Sequence, residues 1–146
     1  AILGLDKEYR MVIVGAGNLG QAITKYTHSH KQGFKVSAVF DNNPDLIGKD
    51  LDGLEILDYK DIVEYVENEQ INIGIICVNQ NSAQEVADKL CFAGVKGIWN
   101  FAPTDIEVPS HVALEVVHLS DSLHALAYHM NDIQKKEAAA EQKNGK

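Results

Sequence analysis

Three glycines, Gly15, Gly17 and Gly20, stand in the run MVIVGAGNLGQAI at residues 11–23 and are the part of this chain best suited to chemistry. A short apolar stretch, Met11 to Val14, precedes them, and a helical pattern follows. Between a buried strand and a helix, the spacing G-x-G-x-x-G has a mechanical reading. Gly15 permits a tight turn, Gly17 lets a pyrophosphate approach the backbone, and Gly20 lets helix and strand pack closely. Ala16 completes the turn. The helix opening at Asn18 and Leu19 offers free N–H groups and a positive dipole end to an anion. The second strand, Lys35 to Phe40, ends at Asp41, about twenty residues on, the interval at which an acid meets an adenosine ribose. A carboxylate there accepts both ribose hydroxyls and repels a 2′-phosphate, and no Arg lies near it in sequence. The pattern therefore points to NADH / NAD+ rather than NADP. The plainer alternative is a turn built from glycines beside a solvated Asp.

In doubly wound sheets, ligands sit beyond the carboxyl ends of the strands. Val78 and Asn79 follow the apolar run at residues 71–77, and Asn100-Phe101-Ala102-Pro103 follows the run at residues 96–101. Both segments bring amides or backbone groups to the crevice where a nicotinamide and its ribose would lie; Asn79 and Asn100 also suit simple turns. A catalytic set is missing. The histidines are 28, 30, 111, 118, 124 and 129, and none follows a strand end that lines the crevice. His28 and His30 read as a solvated helix end, and His124 and His129 are poorly spaced to share a metal. Catalytic and metal residues are therefore none. Cys77 and Cys91 lack C-x-x-C spacing and sit in apolar settings, as packed thiols in a reducing compartment do.

The order strand, helix, strand, loop, helix, strand, helix, strand, loop, strand, helix predicts an α/β fold. It is a Rossmann-type, doubly wound, mostly parallel sheet with a C-terminal helix, which the family resemblance given below assigns to dimer exchange. The first helix spans residues 18–30, with Gly33 as its stop. Residues 42–53 form a loop with Leu46, Ile47 and Leu51 as pegs, and Leu54 to Leu57 is a short strand. Asp58 caps a helix over residues 59–67, and Ser82-Ala83-Gln84-Glu85 reads as a capping box opening the next helix, which Gly94 ends. Val112 to His118 is the last strand. Beyond it Leu119, Leu123, Leu126, Met130 and Ile133 step by four, three, four and three. That is a heptad seam asking for a second subunit, although docking on its own sheet is the competing reading.

The organisation expected is a linker remnant at 1–8, a dinucleotide-binding domain at 9–118, a dimerisation helix at 119–136 and a disordered tail at 137–146. The net charge is −8, with basic residues scattered rather than striped, so this chain by itself is poorly suited to grip nucleic acid. No apolar run spans a membrane and no signal peptide is apparent, which fits a cytoplasmic protein. Ala1 in place of Met suggests a fragment of something longer.

Five segments together resemble one family: VIVGAGNLGQAI, AVFDNNPDLIGK, IGIICVNQNSAQEVADKL, GVKGIWNFAPTDIEVP and VVHLSDSLHALAYH. They are similar to the cofactor domain of the redox-sensing transcriptional repressors of the Rex family, over about residues 5–133. The NFAP segment is the most specific of them. The resemblance implies a homodimer that exchanges its C-terminal helix and senses the NADH to NAD+ balance. It also implies operator DNA as a partner only through an N-terminal winged-helix domain, absent here, with NADH releasing that DNA in the intact protein. An aromatic of the exchanged helix packs near the partner's nicotinamide in that family, and Tyr128 is the matching position. Two other readings stand beside it, the cofactor domain of an NAD-dependent dehydrogenase and a CoA-binding domain. Neither an enzyme's donor nor a CoA-binder's indifference to Asp41 suits this chain as well.

Overall fold

The alternating pattern folds as it reads. The computed structural model describes residues 8–30 and 33–144. In chain order the elements are β1 (Tyr9–Val14), α1 (Asn18–His30), β2 (Phe34–Asp41), β3 (Asp50–Leu51) and β4 (Leu54–Asp58). A 3-10 turn (Tyr59–Asp61), α2 (Ile62–Glu69), β5 (Ile73–Ile76), α3 (Gln80–Ala93), β6 (Gly97–Asn100), β7 (Ala113–Val116) and α4 (Leu119–Asn144) follow. The strands make one sheet in the order β3-β4-β2-β1-β5-β6-β7. Every pairing is parallel except that of β3 with β4. The chain builds outward from β1 in one direction and then from β5 in the other. Their junction is the switch point at which such sheets open a crevice.

Side-chain alternation divides the core. Val12 and Val14 of β1 join a cluster with Ile62 and Val66 of α2 and Val86, Ala87 and Leu90 of α3. Met11 and Ile13 point the other way, joining Val36, Val39 and Ile75, with Leu19 and Ile23 of α1 packed on them. Two helices thus cover the first face. On the second, a nearly wholly apolar groove of about 360 Å³ runs beside α1, lined by Met11, Tyr26, Phe34, Ile73, Gly97, Trp99 and Ala113 among others.

Several boundaries differ from the sequence reading. The loop after β2 contains β3, because Leu51 is buried when it folds back on Leu54. Asp58 accepts from the Lys60 N–H, but at a 3-10 turn that precedes α2. The capping box is not used: α3 begins at Gln80, and Asn79 caps it by accepting from the N–H groups of Asn81 and Ser82. An Asn three residues beyond the strand competes successfully with a Ser two residues into the helix. The tail expected to be disordered from 137 is helical through Asn144, since EAAAEQ at residues 137–142 is made of strong helix formers. The linker expected at 1–8 lies outside the described residues except for Glu8, as do residues 145–146. Among the described residues no helix is long and apolar enough to cross a membrane.

Candidate functional site: a cleft at the strand ends

The three glycines of the turn do three different things. Gly15 has φ +108°, and a Cβ there would lie 2.6 Å from the carbonyl oxygen of Cys77. Its N–H donates to the Phe40 carbonyl at 2.8 Å, which ties the turn to β2. A Cβ on Gly20 would collide with the Gly15 carbonyl. Both glycines are therefore required by the protein's own packing. Gly17 is not: a Cβ there meets nothing within 4 Å. Nothing inside the chain asks for glycine at the position that faces outward into the crevice.

That crevice is a cleft of about 370 Å³ lined by Val14, Gly15, Gly17, Asp41, Cys77, Val78 and Asn79, together with Asn42, Asn43, Leu46, Tyr59, Ser82, Glu85 and Val86. Asp41 closes β2 and is partly buried. Its Oδ2 accepts from the Ala16 N–H at 2.7 Å and its Oδ1 from the Asn43 N–H at 2.8 Å. A carboxylate offers about four lone-pair sites, so both oxygens keep room for a further donor. Ala16 is fully buried, and its carbonyl accepts from the Gln21 side chain. Asn18 and Leu19 start α1, whose first turn carries no acidic residue that would oppose an anion. Burial pushes the Cys77 thiol up to about 12, so it sits in the wall as a neutral, unreactive group.

Part of the candidate set lines the cleft. Gly15, Gly17, Asp41, Val78 and Asn79 converge on the cleft, although the Asn79 side-chain oxygen is occupied as the α3 cap. Asn100 ends β6 and Phe101, Ala102 and Pro103 follow it, and none of the four is among the residues lining the cleft. Asn100 is fully buried, and its amide braces its own loop. It accepts from the Ala102 N–H at 3.0 Å and donates to the Thr104 carbonyl at 3.0 Å. Its amide thus builds an Asx-type turn, which a loop leaving a buried strand needs to satisfy its backbone. Phe101 packs on Trp99 with ring centroids 4.7 Å apart. Tyr128 lies on α4, 71% exposed, and does not line the cleft.

Tyr59, Glu85 and the 42–46 loop were missed. Their signal was topological: every parallel strand ends at the same edge, so the residue after β4 had to face the crevice with those after β1, β2 and β5. Burial, and then the Glu85 carboxylate, push the Tyr59 phenol up to about 12. Its hydroxyl is buried without a hydrogen-bond partner.

The comparisons with known proteins agree with this geometry. The family model of the CoA binding domain matches residues 6–104. The chain is 51% identical over 132 residues to the redox-sensing transcriptional repressor Rex of Clostridium beijerinckii, covering 90% of this chain and 63% of that protein. It is 49% identical over 131 residues to the Rex repressor of Caldanaerobacter subterraneus subsp. tengcongensis, covering 90% of this chain and 58% of that one. The chain therefore spans about three fifths of the length of these curated relatives. Among solved structures it superposes on RSP, a Rex-family repressor, with a TM-score of 0.85 and 46% identity, over 94% of this chain and 66% of RSP. RSP has also been solved with β-NADH, and with β-NAD+ and operator DNA. The chain belongs to the CoA-binding domain family and, within it, groups with the redox-sensing Rex repressors.

Proposed function

We propose that this chain is the NADH / NAD+-sensing part of a homodimeric transcriptional repressor. The observation that carries the cofactor is Gly17, a glycine that the protein's own packing leaves free at the mouth of the cleft. A pyrophosphate fits that opening, against the N-terminus of α1. Asp41 would hold the adenosine ribose, and Val78 and Asn79 would wall the path toward the nicotinamide. NADH binding to RSP, a relative at 46% identity, supports the same assignment. The chain's part in regulation is to bind and to change shape rather than to turn over a substrate. In the intact protein, NADH would release operator DNA bound by the domain that precedes this one.

Two apolar surfaces that none of the described residues covers support the homodimer. One is the groove on the second sheet face around Trp99. The other is the α4 seam, where Leu123 is 68% exposed, Leu126 55%, Met130 53% and Ile133 56%. Exposed rows of this size mark an interface. An exchanged α4 would cover the groove of the other subunit and bring Tyr128 toward its nicotinamide. The Leu119 side chain, the first of the seam, lies outside the described residues.

Thermal-shift titration with NADH, NADPH and CoA tests the cofactor reading. Stabilisation by NADH well above that by NADPH is the expected result. The name of the matching family favours CoA as a second reading, and stabilisation by CoA without NADH would establish it instead. Gly17→Val should abolish the NADH shift and leave the melting temperature of the free protein unchanged.

A further inference from the structure

Residues 101–112 join β6 to β7 and contain neither helix nor strand. A crossover between parallel strands usually carries a helix, which satisfies its own backbone. This strap instead packs Ala102, Ile106, Val108 and Val112 on the core cluster that α3 shares. Its polar anchorage is sparse. The Asn100 amide holds residues 102 and 104 at one end, and the Ala113 N–H donates to the Lys96 carbonyl at the other. Between those ends, among the described residues, Gln84 of α3 makes the hydrogen bonds that fasten the strap to another element.

The Gln84 carboxamide pairs with the Glu107 backbone as a neighbouring strand would. Its Oε1 accepts from the Glu107 N–H at 2.8 Å, and its Nε2 donates to the Glu107 carbonyl at 2.9 Å. Nε2 also donates to Asp88 Oδ1, one helical turn on, at 2.9 Å. A carboxylate only accepts, so Asp88 fixes which way the amide faces. Holding a long side chain in one rotamer costs entropy, and here every amide hydrogen and the oxygen are engaged in return.

The place of this clamp gives it a consequence. A dinucleotide straddles the switch point of a doubly wound sheet, one half on each side. With the adenosine half at Gly17 and Asp41, the nicotinamide end would lie toward the carboxyl ends of β5 and β6. The strap leaves from the end of β6. The start of α3, beyond the end of β5, puts Asn79, Ser82 and Val86 in the cleft wall. Gln84 fastens one of these borders to the other.

We propose that Gln84 is a positioning residue for the nicotinamide end of the ligand, keeping the strap at residues 104–109 ordered before the ligand arrives. The inference rests on the cofactor reading above. Without the clamp, binding would have to order the strap, and that cost falls on a ligand long enough to reach it. ADP-ribose, which lacks the nicotinamide ring, escapes the cost.

The test titrates NADH and ADP-ribose by calorimetry against the wild-type chain, Gln84→Ala and Gln84→Glu. The wild type should bind NADH more tightly than ADP-ribose. Gln84→Ala should weaken NADH by about tenfold, the equivalent of one or two ordinary hydrogen bonds, and leave ADP-ribose within about twofold. Gln84→Glu keeps an acceptor for the Glu107 N–H but loses both donated bonds and sets a like charge beside Asp88, so NADH should weaken there too. Hydrogen exchange of the free protein supplies a second readout: residues 104–109 should exchange faster in both variants, while β5 keeps its protection. An equal loss of both ligands would make Gln84 merely structural and overturn the inference. So would unchanged NADH affinity in Gln84→Ala, or unchanged exchange in the strap. Equal wild-type affinity for NADH and ADP-ribose also overturns it and leaves the cofactor reading intact. Failure of the wild type to bind NADH at all overturns the cofactor reading, and this one with it.

Discussion

The two faces of the sheet are made of similar residues and finished differently. On the first, α2 and α3 lie over β1, β5 and β6, and Leu90, Val86, Val66 and Ile62 are all 2% exposed or less. On the second, α1 covers β1 and β2, and beside it an apolar groove stays open around Trp99. One chain yields a face that is complete on folding and a face that the described residues leave open, where the proposed second subunit would dock. Stability drawn from the first should be independent of protein concentration, whereas stability drawn from the second should rise with it.

The largest effect should come from cutting the second face off from its partner. Leu123→Glu with Leu126→Glu removes two apolar side chains worth about 3–6 kcal/mol together when buried. The expected product is a monomer by sedimentation at tens of micromolar with weakened NADH binding. Trp99 is the sole tryptophan and lines the groove, so its emission should shift to the red in the variant, and in the wild type on dilution. A variant that stays dimeric would remove the distinction between the faces.

Leu90→Ala probes the first face. Leu90 is fully buried, and its side chain packs where a Cβ on Gly74 would have to sit. Deleting it should lower unfolding free energy by about 2–5 kcal/mol, measured by urea titration. That loss should be the same at low and high protein concentration. A concentration-dependent loss would mean that the first face is also shared between subunits.

Asp41→Ala acts at the strand ends, where neither face dominates. The gap between NADH and NADPH affinity should narrow by about 1–3 kcal/mol while the sedimentation behaviour stays unchanged. Equal affinity of the unmutated chain for the two cofactors would count against Asp41 as the ribose acid.

The smallest effect is a pH dependence. Cys77 packs in the part of the second face that α1 closes, and burial raises it from 9.0 to about 12. The folded protein then holds a proton that the unfolded chain releases above 9.0, so stability falls as pH rises from 9.0 toward 12. Cys77→Ala should flatten that slope in thermal melts. An unchanged slope would assign it to other groups, Tyr59 among them.

How far the sequence reaches depends on the range of the interaction. The glycine turn, α1 from Asn18 to His30 and the Gly94 stop were all legible, because each follows from local conformational preference. So was the parallel sheet, from alternation alone. The cap of α3 was misread because Asn79 and Ser82 are both good caps, and only the position at which β5 stops decides between them. Asn100 stayed open because its type suits a ligand and a turn equally, and only its burial and its bonds to Ala102 and Thr104 reveal the turn. Tyr59 was overlooked because it shares a cleft with Asp41 and Glu85 only through the sheet, a relation that sequence distance hides.

Asp41 holds the Ala16 N–H before any ligand arrives, so the phosphate turn and the ribose acid are already one rigid piece. In the proposed function such a piece needs little ordering when it binds, and it grips whatever carries an ADP group. NADH and NAD+ carry the same one. The Asp41 end can therefore act as a common anchor that gives both forms affinity and tells neither from the other. All discrimination between the oxidised and reduced forms must be made at the opposite end of the ligand.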